Sequence, residues 1–295
     1  MINGTVTALV TPMNDNGINY EKLRELIEYQ AESGADGIVL LGTTGEAPTV
    51  SDVERDRILS VGVEAAGGRM KVIAGCGSND TKKAAEQCKR ASELGADALL
   101  VLTPYYNKTN SEGMIRHFSE IADAAEAPVI MYNVPSRTGC CIDMNALSVL
   151  CTHKNIIGIK EASGNVSYAA QAARLIGEDF FLMCGCDDLT LPLMSLGACG
   201  VISVASNIIP REICGMVKAF SDGDTEGARK TQLKYLPLIN ALFSEVNPIP
   251  IKEAMNILGF GVGGCRLPLY SISGVARKTL CSAMRLCGLC ERCGF

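Results

Sequence analysis

The sequence repeats one short design: E-L-G-A-D-A-L-L-V-L-T at residues 93–103, E-S-G-A-D-G-I-V-L-L-G at 32–42 and S-L-G-A-C-G-V-I-S-V-A at 195–205. In each copy a helix end is followed by a glycine at the C-cap, a short turn and an apolar run with the composition of a buried strand. The pattern predicts a helix-to-strand joint that the chain uses at least three times.

Further apolar runs bring the number of predicted strands to eight, at residues 5–10, 72–74, 129–132, 156–160 and 180–184. Amphipathic stretches of helical period separate them, at about residues 20–33, 52–66, 80–93, 111–125, 144–151, 166–176, 188–195 and 210–221. Strict alternation of helices with strands that are buried on both faces favours a closed parallel (β/α)8 barrel over an open doubly wound sheet. We therefore predict an α/β protein of the TIM-barrel class.

The strand pattern stops after residue 223. Residues 224–243, 250–258 and 271–286 are predicted to form helices, and Pro237 is expected to kink the first of them. The predicted organisation is a barrel over residues 1–223, which carries the active site, and a C-terminal helical region over residues 224–295.

Composition narrows the class of function. The 295 residues are 47% hydrophobic and 20% charged, and their net charge of −5 offers no general attraction to nucleic acid or anionic lipid. The first ten residues lack the features of a signal peptide, and no apolar run approaches the length of a membrane span. We expect a cytoplasmic enzyme whose fourteen cysteines are free thiols.

One lysine interrupts the apolar run of the sixth predicted strand, in N-I-I-G-I-K-E-A-S at residues 155–163. A lysine directed into an interior of low dielectric constant loses the hydration of its ammonium group, which favours the neutral, nucleophilic amine. That amine is what a Schiff base with a carbonyl substrate requires. The alternative is an edge strand in which Lys160 reaches water or pairs with Glu161.

Reactive side chains also follow three other predicted strands, at the barrel face where TIM-barrel enzymes have their active sites. They lie in G-T-T-G-E (42–46), T-P-Y-Y-N (103–107) and Y-N-V-P-S-R-T-G (132–139). The first loop could hold a small carboxylate, the Tyr132 phenol could carry protons, and the Arg137 guanidinium could bind a second carboxylate. Each motif alone also has a purely structural explanation: a tight turn, a tyrosine in the core or a solvated arginine. Because four predicted strand ends all carry groups suited to reactions of carbonyl compounds, the motifs together favour an enzyme that acts on a carbonyl substrate.

These motifs, with N-P-I-P-I-K-E-A from residue 247 and R-L-P-L from residue 266, resemble those of the dihydrodipicolinate synthase family, relatives of class I aldolases. The resemblance runs from about residue 3 to residue 289. It implies that Lys160 forms an imine with pyruvate, whose enamine attacks L-aspartate 4-semialdehyde. The adduct would cyclise to 4-hydroxy-tetrahydrodipicolinate, in the biosynthesis of diaminopimelate and lysine.

The resemblance also implies a proton relay and an oligomer. Thr43, Tyr132 and Tyr106 would form the relay, with Tyr106 reaching in from the partner subunit of a tight dimer. Two such dimers would form a homotetramer. No metal or organic cofactor is expected, and His117 and His153 both lie away from the predicted strand ends that form the site.

Substrate-binding roles follow from the same resemblance. Thr44 would hold the pyruvate carboxylate, Arg137 would bind the semialdehyde at the mouth of the site, and Gly185 with Ile202 would line the pocket of Lys160.

Three other functions stay open at this point. A sialic-acid (N-acetylneuraminate) or keto-deoxy-sugar aldolase would share the lysine and the tyrosine, but its sugar acceptor would favour neutral polar groups at the position of Arg137. A ligand sensor on the same barrel could lose Lys160 without losing its fold. A metal or redox protein is suggested by Cys287, Cys290 and Cys293, although three thiols do not close a zinc site. We expect an unstructured tail there.

The resemblance finally predicts that inhibition by L-lysine is weak or absent. In sensitive relatives the effector site resembles Asn79 and Tyr105, and a carboxylate one helical turn beyond the asparagine receives the lysine amino groups. This chain has Lys83 at that place, and Asp52 and Arg55 where such relatives have histidines.

Overall fold

The computed structural model describes residues 2–290, in which eight parallel strands close into a barrel. The strands are β1 (Gly4–Ala8), β2 (Gly37–Leu40), β3 (Lys71–Gly75), β4 (Ala98–Leu102), β5 (Val129–Asn133), β6 (Ile156–Glu161), β7 (Phe181–Cys184) and β8 (Gly200–Ser203). Each strand pairs with its neighbours along the chain, and β8 pairs with β1. The predicted TIM barrel is confirmed.

Helices follow the strands and continue beyond the barrel. They are α1 (Tyr20–Glu32), α2 (Asp52–Ala66), α3 (Thr81–Glu93), α4 (Ser111–Ala124), α5 (Pro135–Thr138), α6 (Met144–Leu150), α7 (Val166–Ala173), α8 (Thr190–Ser195), α9 (Pro210–Ser221), α10 (Thr225–Leu242), α11 (Ile249–Ile257) and α12 (Gly274–Leu286). The sequence pattern missed the one-turn helix α5, the 3-10 turns Ala47–Thr49, Asp187–Leu189 and Ala205–Asn207, and a small hairpin of Met13–Asn14 with Gly17–Ile18. These elements are too short for periodicity to mark them.

Local sequence explains where the elements start and which side chains they bury. Ser51 and Glu54 form a reciprocal capping box at the start of α2, and Asp80 accepts from two backbone N–H groups at the start of α3. All residues of β2, β5, β7 and β8 are buried, as expected for strands covered on one face by helices and on the other by the barrel interior.

The three repeated joints adopt the predicted geometry with one correction. Gly34, Gly95 and Gly197 have positive φ angles of 84°, 89° and 102°, which a residue with a side chain rarely adopts. Each lies one residue beyond the C-cap rather than at it. The glycine therefore reverses the chain after the helix has already been capped, and the following strand starts within three residues.

The barrel closes by a close backbone approach of β8 to β1. Gly4 is in register with Gly200, which has a φ of 151°. A Cβ atom at Gly200 would lie 1.9 Å from the Gly4 carbonyl oxygen. Only glycine therefore fits at the point where the first and last strands meet.

The C-terminal helices pack against the barrel and against one another: α10 contacts α9, α12 and the turn Asp187–Leu189, and α11 contacts α12. The helix α10 runs from Thr225 to Leu242 with Pro237 inside it, so this proline does not end the helix. Within residues 2–290, none of the helices combines the length and the apolar character needed to cross a bilayer.

Candidate active site

Lys160 lies in the wall of a cavity of about 460 Å³ at the C-terminal ends of the strands. It is the fifth residue of β6, in register with Tyr132 of β5 and Met183 of β7. Lys160 is 5% exposed and Tyr132 is 7% exposed, and the lysine Nζ lies 4.3 Å from the centre of the tyrosine ring. The lysine is therefore a buried amine on the cavity wall, not a side chain that reaches bulk water.

The neighbouring carboxylate of Glu161 has other partners. Successive side chains of a strand point to opposite faces, so Glu161 points away from Lys160. It accepts hydrogen bonds from Asn133 Nδ2 and from the Ser163 backbone N–H, both at 2.7 Å. Burial raises the pKa of the Glu161 carboxyl above its usual range despite these bonds. The alternative in which Lys160 pairs with Glu161 is not what the structure shows.

Gly185, the residue after β7, makes room for the lysine stem. A Cβ at this position would lie 2.9 Å from Lys160 Cε and 2.6 Å from Ala162 Cβ. Both contacts are shorter than real Cβ atoms make, so a larger residue would displace the lysine. The predicted place of Gly185 beside Lys160 is thus observed, whereas Ile202 is buried within β8 and Val204, two residues further on, lines the cavity.

Thr43 and Tyr132 lie in the wall between this cavity and a second one of about 230 Å³. The second cavity is also lined by Asp52, Arg55, Ser78, Lys83, Gln87 and Tyr105, among others. The guanidinium of Arg55 is buried there and donates from Nη2 to the Gly75 carbonyl at 2.7 Å. Thr43 and Tyr132, whose hydroxyl groups are proposed for proton transfer, therefore separate the cavity of Lys160 from a second cavity that is lined by charged side chains.

Thr44 lies beside Thr43 and is almost fully buried, at 2% exposure. Its Oγ1 accepts a hydrogen bond of 2.9 Å from Asn247 Nδ2, and both residues line the same cavity as Lys160, which we call the catalytic cavity. Asn247 lies in the motif N-P-I-P-I-K-E-A, but an asparagine far along the chain carries no chemical pattern of its own from which a role could be predicted.

Arg137 lies on α5 at the mouth of the cavity, where its side chain is exposed. Its Nη2 donates to the backbone carbonyl of Asn247 at 3.0 Å. This contact with the C-terminal region orients the guanidinium of Arg137, and its remaining N–H groups can donate to a carboxylate.

A buried ion pair holds the loop that carries Thr43 and Thr44. Glu46 follows these threonines with a φ of 57°, and its Oε1 lies 2.6 Å from the Nζ of Lys252 on α11. Lys252 also donates to the Gly264 carbonyl at 2.6 Å, and the backbone N–H of Arg266 donates to Glu46 Oε2 at 2.8 Å. Glu46 and Lys252 are 2% exposed each, so both charges depend on these partners.

Several predicted residues lie apart from the cavity. Tyr106 has a φ of 68° and is 89% exposed on the β4–α4 loop, outside the set of cavity-lining residues. His117 lies on α4 beside Thr81, and burial lowers its pKa to about 4. His153 precedes β6, at the opposite end of the barrel from Lys160. Neither histidine is among the residues that line the cavity, in line with their predicted distance from the strand ends.

The cysteines near the site and at the C-terminus have different environments. Cys186 lines the cavity, but burial raises its pKa to about 12, so this thiol stays protonated at neutral pH. Cys287 is the buried C-cap residue of α12 and donates to the Lys234 carbonyl at 3.6 Å, so the expectation of an unstructured tail is wrong for this cysteine. Cys290 is half-buried. Cys293 and the rest of the predicted tail from 291 lie outside the described residues. Among the residues described, no three or more His, Cys, Asp and Glu side chains group to hold a metal.

Known proteins resemble the chain over nearly its whole length. The model of the Dihydrodipicolinate synthetase family matches residues 1–286. A 4-hydroxy-tetrahydrodipicolinate synthase of Thermoanaerobacter pseudethanolicus is 48% identical over 97% of each chain. The dihydrodipicolinate synthase structure from Aquifex aeolicus has a TM-score of 0.95 at 39% identity, covering 98% of this chain and 99% of the other. The enzyme from Cyanidioschyzon merolae, solved with lysine bound, has a TM-score of 0.94 at 41% identity, covering 98% and 99%.

We predict that breaking the Glu46–Lys252 pair destabilises the protein far more than removing both partners. Lys252→Met leaves a buried carboxylate without its cation, which costs roughly 3–5 kcal/mol. In the double variant Glu46→Gln/Lys252→Met no charge remains unpaired, and most of this loss should be recovered. Chemical denaturation of the wild type and the variants measures the difference.

Lys218→Met, which breaks the exposed pair of Lys218 with Asp222 on α9, is the matched control and should leave the denaturation midpoint unchanged. A Lys252→Met protein as stable as that control would show that the buried pair does not hold the loop.

Proposed function

The chain belongs to the dihydrodipicolinate synthetase family, and we propose that it condenses pyruvate with L-aspartate 4-semialdehyde through an imine on Lys160. The observation that carries the proposal is the buried amine of Lys160 at the end of β6, facing a cavity and free of a carboxylate partner in Glu161. The product is 4-hydroxy-tetrahydrodipicolinate, in the biosynthesis of diaminopimelate and lysine.

In the first half of the reaction the amine of Lys160 attacks C2 of pyruvate. The resulting carbinolamine loses water to give the imine, and both steps move protons at the former carbonyl oxygen. The Tyr132 phenol carries these protons in this proposal, which is supported by the 4.3 Å distance from its ring centre to the lysine Nζ, and Thr43 lines the same cavity. The Thr44 hydroxyl holds the carboxylate of pyruvate.

In the second half a proton leaves C3 of the imine, and the enamine carbon forms a bond to the aldehyde carbon of the second substrate. Arg137 holds the carboxylate of that substrate at the mouth, where its guanidinium is oriented by the Asn247 carbonyl. The substrate amine then attacks C2, a six-membered ring closes, and Lys160 leaves as the free amine. No external oxidant or reductant is required, because the carbon–carbon bond forms without a net redox change.

The relay is completed by a second subunit in this proposal. Tyr106 is held at a positive φ on an exposed loop and does not line the cavity of its own subunit. Tyr106 of the partner subunit would enter the site and join Thr43 and Tyr132. A tight dimer is the smallest assembly that provides this contact, and we propose a tetramer of two such dimers.

A small acidic aldehyde fits the site better than a sugar. The mouth carries the Arg137 guanidinium, which has N–H donors available for a carboxylate. A neutral sugar acceptor would leave this charge without a partner.

Incubation with pyruvate and borohydride should place a stable reduced adduct on Lys160, because reduction converts the imine to a secondary amine. Peptide mass mapping identifies the modified residue. Lys252 is the internal control, since it is equally buried but engaged by Glu46. An adduct on Lys252, or the same adduct yield in Lys160→Ala, would contradict imine formation on Lys160.

Arg137→Ala should impair use of the semialdehyde far more than imine formation with pyruvate. Loss of a charge-assisted contact to a carboxylate costs roughly 1.5–3 kcal/mol, or about one to two decades in kcat/KM. Steady-state kinetics with varied semialdehyde, beside pyruvate trapping, separates the two effects. Arg116→Ala on α4, an exposed arginine paired with Glu112, is the control. Unchanged semialdehyde kinetics would refute the role of Arg137.

Millimolar L-lysine should inhibit the enzyme weakly or not at all. Lys83 and Arg55 line the second cavity beside Tyr105, so a cationic effector would meet two cations, with Asp52 as a partial counterweight. Replacing an attraction by a repulsion shifts affinity by about tenfold or more. Initial rates during a lysine titration test this, with Lys83→Glu expected to increase sensitivity. Strong inhibition of the wild type that disappears in Tyr105→Ala would contradict the prediction.

A further inference from the structure

Asn247 lies where two substrate-binding groups meet, although it comes from the segment between α10 and α11 and not from a barrel strand. It is 4% exposed and lines the catalytic cavity. Its side chain bonds to the Thr44 hydroxyl, and its backbone carbonyl bonds to Arg137. The side-chain Oδ1 is buried and has no hydrogen-bond partner within residues 2–290, so the bond to Thr44 is the contact that orients this amide.

The direction of the hydrogen bond between Asn247 and Thr44 has a chemical consequence. An amide Nδ2 can only donate, so the Thr44 Oγ1 must accept. The hydroxyl proton of Thr44 is then free to point elsewhere, and in the described part of the chain no acceptor takes it. Since Thr44 lines the cavity, the hydroxyl is available as a donor to a ligand there.

We propose that Asn247 is a positioning residue that fixes the Thr44 hydroxyl as a hydrogen-bond donor and thereby makes it selective for the carboxylate of pyruvate. A threonine hydroxyl without this neighbour would serve equally as an acceptor, and a carboxylate needs donors only. The inference rests on the proposed function, in which Thr44 holds that carboxylate. Asn247 is then the residue that makes the Thr44 hydroxyl the donor and the pyruvate carboxylate the acceptor.

Asn247→Asp and Asn247→Leu separate polarity from packing. Aspartate has nearly the shape of asparagine but presents only acceptors when ionised, so the Thr44 proton turns toward residue 247 and away from the cavity. Leucine removes the side-chain hydrogen bond without adding charge. Neither variant deletes the backbone carbonyl that accepts from Arg137.

The measurement is a pyruvate titration of borohydride trapping on Lys160, followed by intact mass, in the absence of semialdehyde. Asn247→Asp should raise the half-saturating pyruvate concentration about tenfold or more, and Asn247→Leu should raise it by a smaller factor. The semialdehyde KM of Asn247→Leu should change much less than its pyruvate dependence. A protein that was merely damaged would show both values rising together, with a lower thermal midpoint.

A double-mutant cycle with Thr44→Val tests whether the effect passes through the hydroxyl. In the Thr44→Val background, Asn247→Leu should have no further effect on the pyruvate dependence. An equal effect in both backgrounds, or a wild-type pyruvate dependence in Asn247→Asp, overturns the inference. If the wild type forms no adduct on Lys160, the proposed function itself fails, which is a distinct result. Should Asn247→Leu not fold, Asn247→Asp in both Thr44 backgrounds gives the same decision.

Discussion

The contact between β1 and β8 is the constraint on which the site depends. Gly200 allows β8 to approach the Gly4 carbonyl to a distance that no side chain permits, and this approach closes the barrel. In a closed barrel of parallel strands, the carboxyl ends of all strands meet around one opening. Thr43, Tyr132 and Lys160 come from three different strand ends, and barrel closure is what brings them to a single cavity. An open sheet would spread the same residues along an edge.

Two residues of the C-terminal region, Asn247 and Lys252, contact side chains of the barrel at the site and hold them in position. Lys252 reaches from α11 to the buried Glu46, and so fixes the loop that carries the threonines. Asn247 bonds to Thr44 and to Arg137, so that the groups assigned to the two substrate carboxylates share one neighbour. A buried ion pair gains little net stability, because desolvation offsets the attraction, but it strongly disfavours any arrangement that separates the charges. The pair is therefore suited to hold a loop in one position.

The sequence predicted the barrel, the order of its elements and the strand-end location of Lys160 and Tyr132, because burial and periodicity are local signals that each segment carries by itself. Three features show what the local pattern does not predict. The one-turn helix α5 is too short to show a period. The burial of Lys252 depends on Glu46, a residue 206 positions away in the chain. The contact of Asn247 with Thr44 spans 203 positions and exists only once the barrel has closed. Long-range pairing of polar groups leaves no mark on local pattern, so only the folded chain reveals it.

We propose that a buried lysine in this cavity serves condensation with a small acidic aldehyde. The most direct measurement is the initial rate with pyruvate and L-aspartate 4-semialdehyde, compared with the rates of cleavage of N-acetylneuraminate and of keto-deoxy-gluconate by the same preparation. Condensation should exceed either cleavage by about a hundredfold or more in kcat/KM, since the acceptor site offers a guanidinium to a carboxylate. Efficient cleavage of either sugar acid without turnover of the semialdehyde would contradict the account.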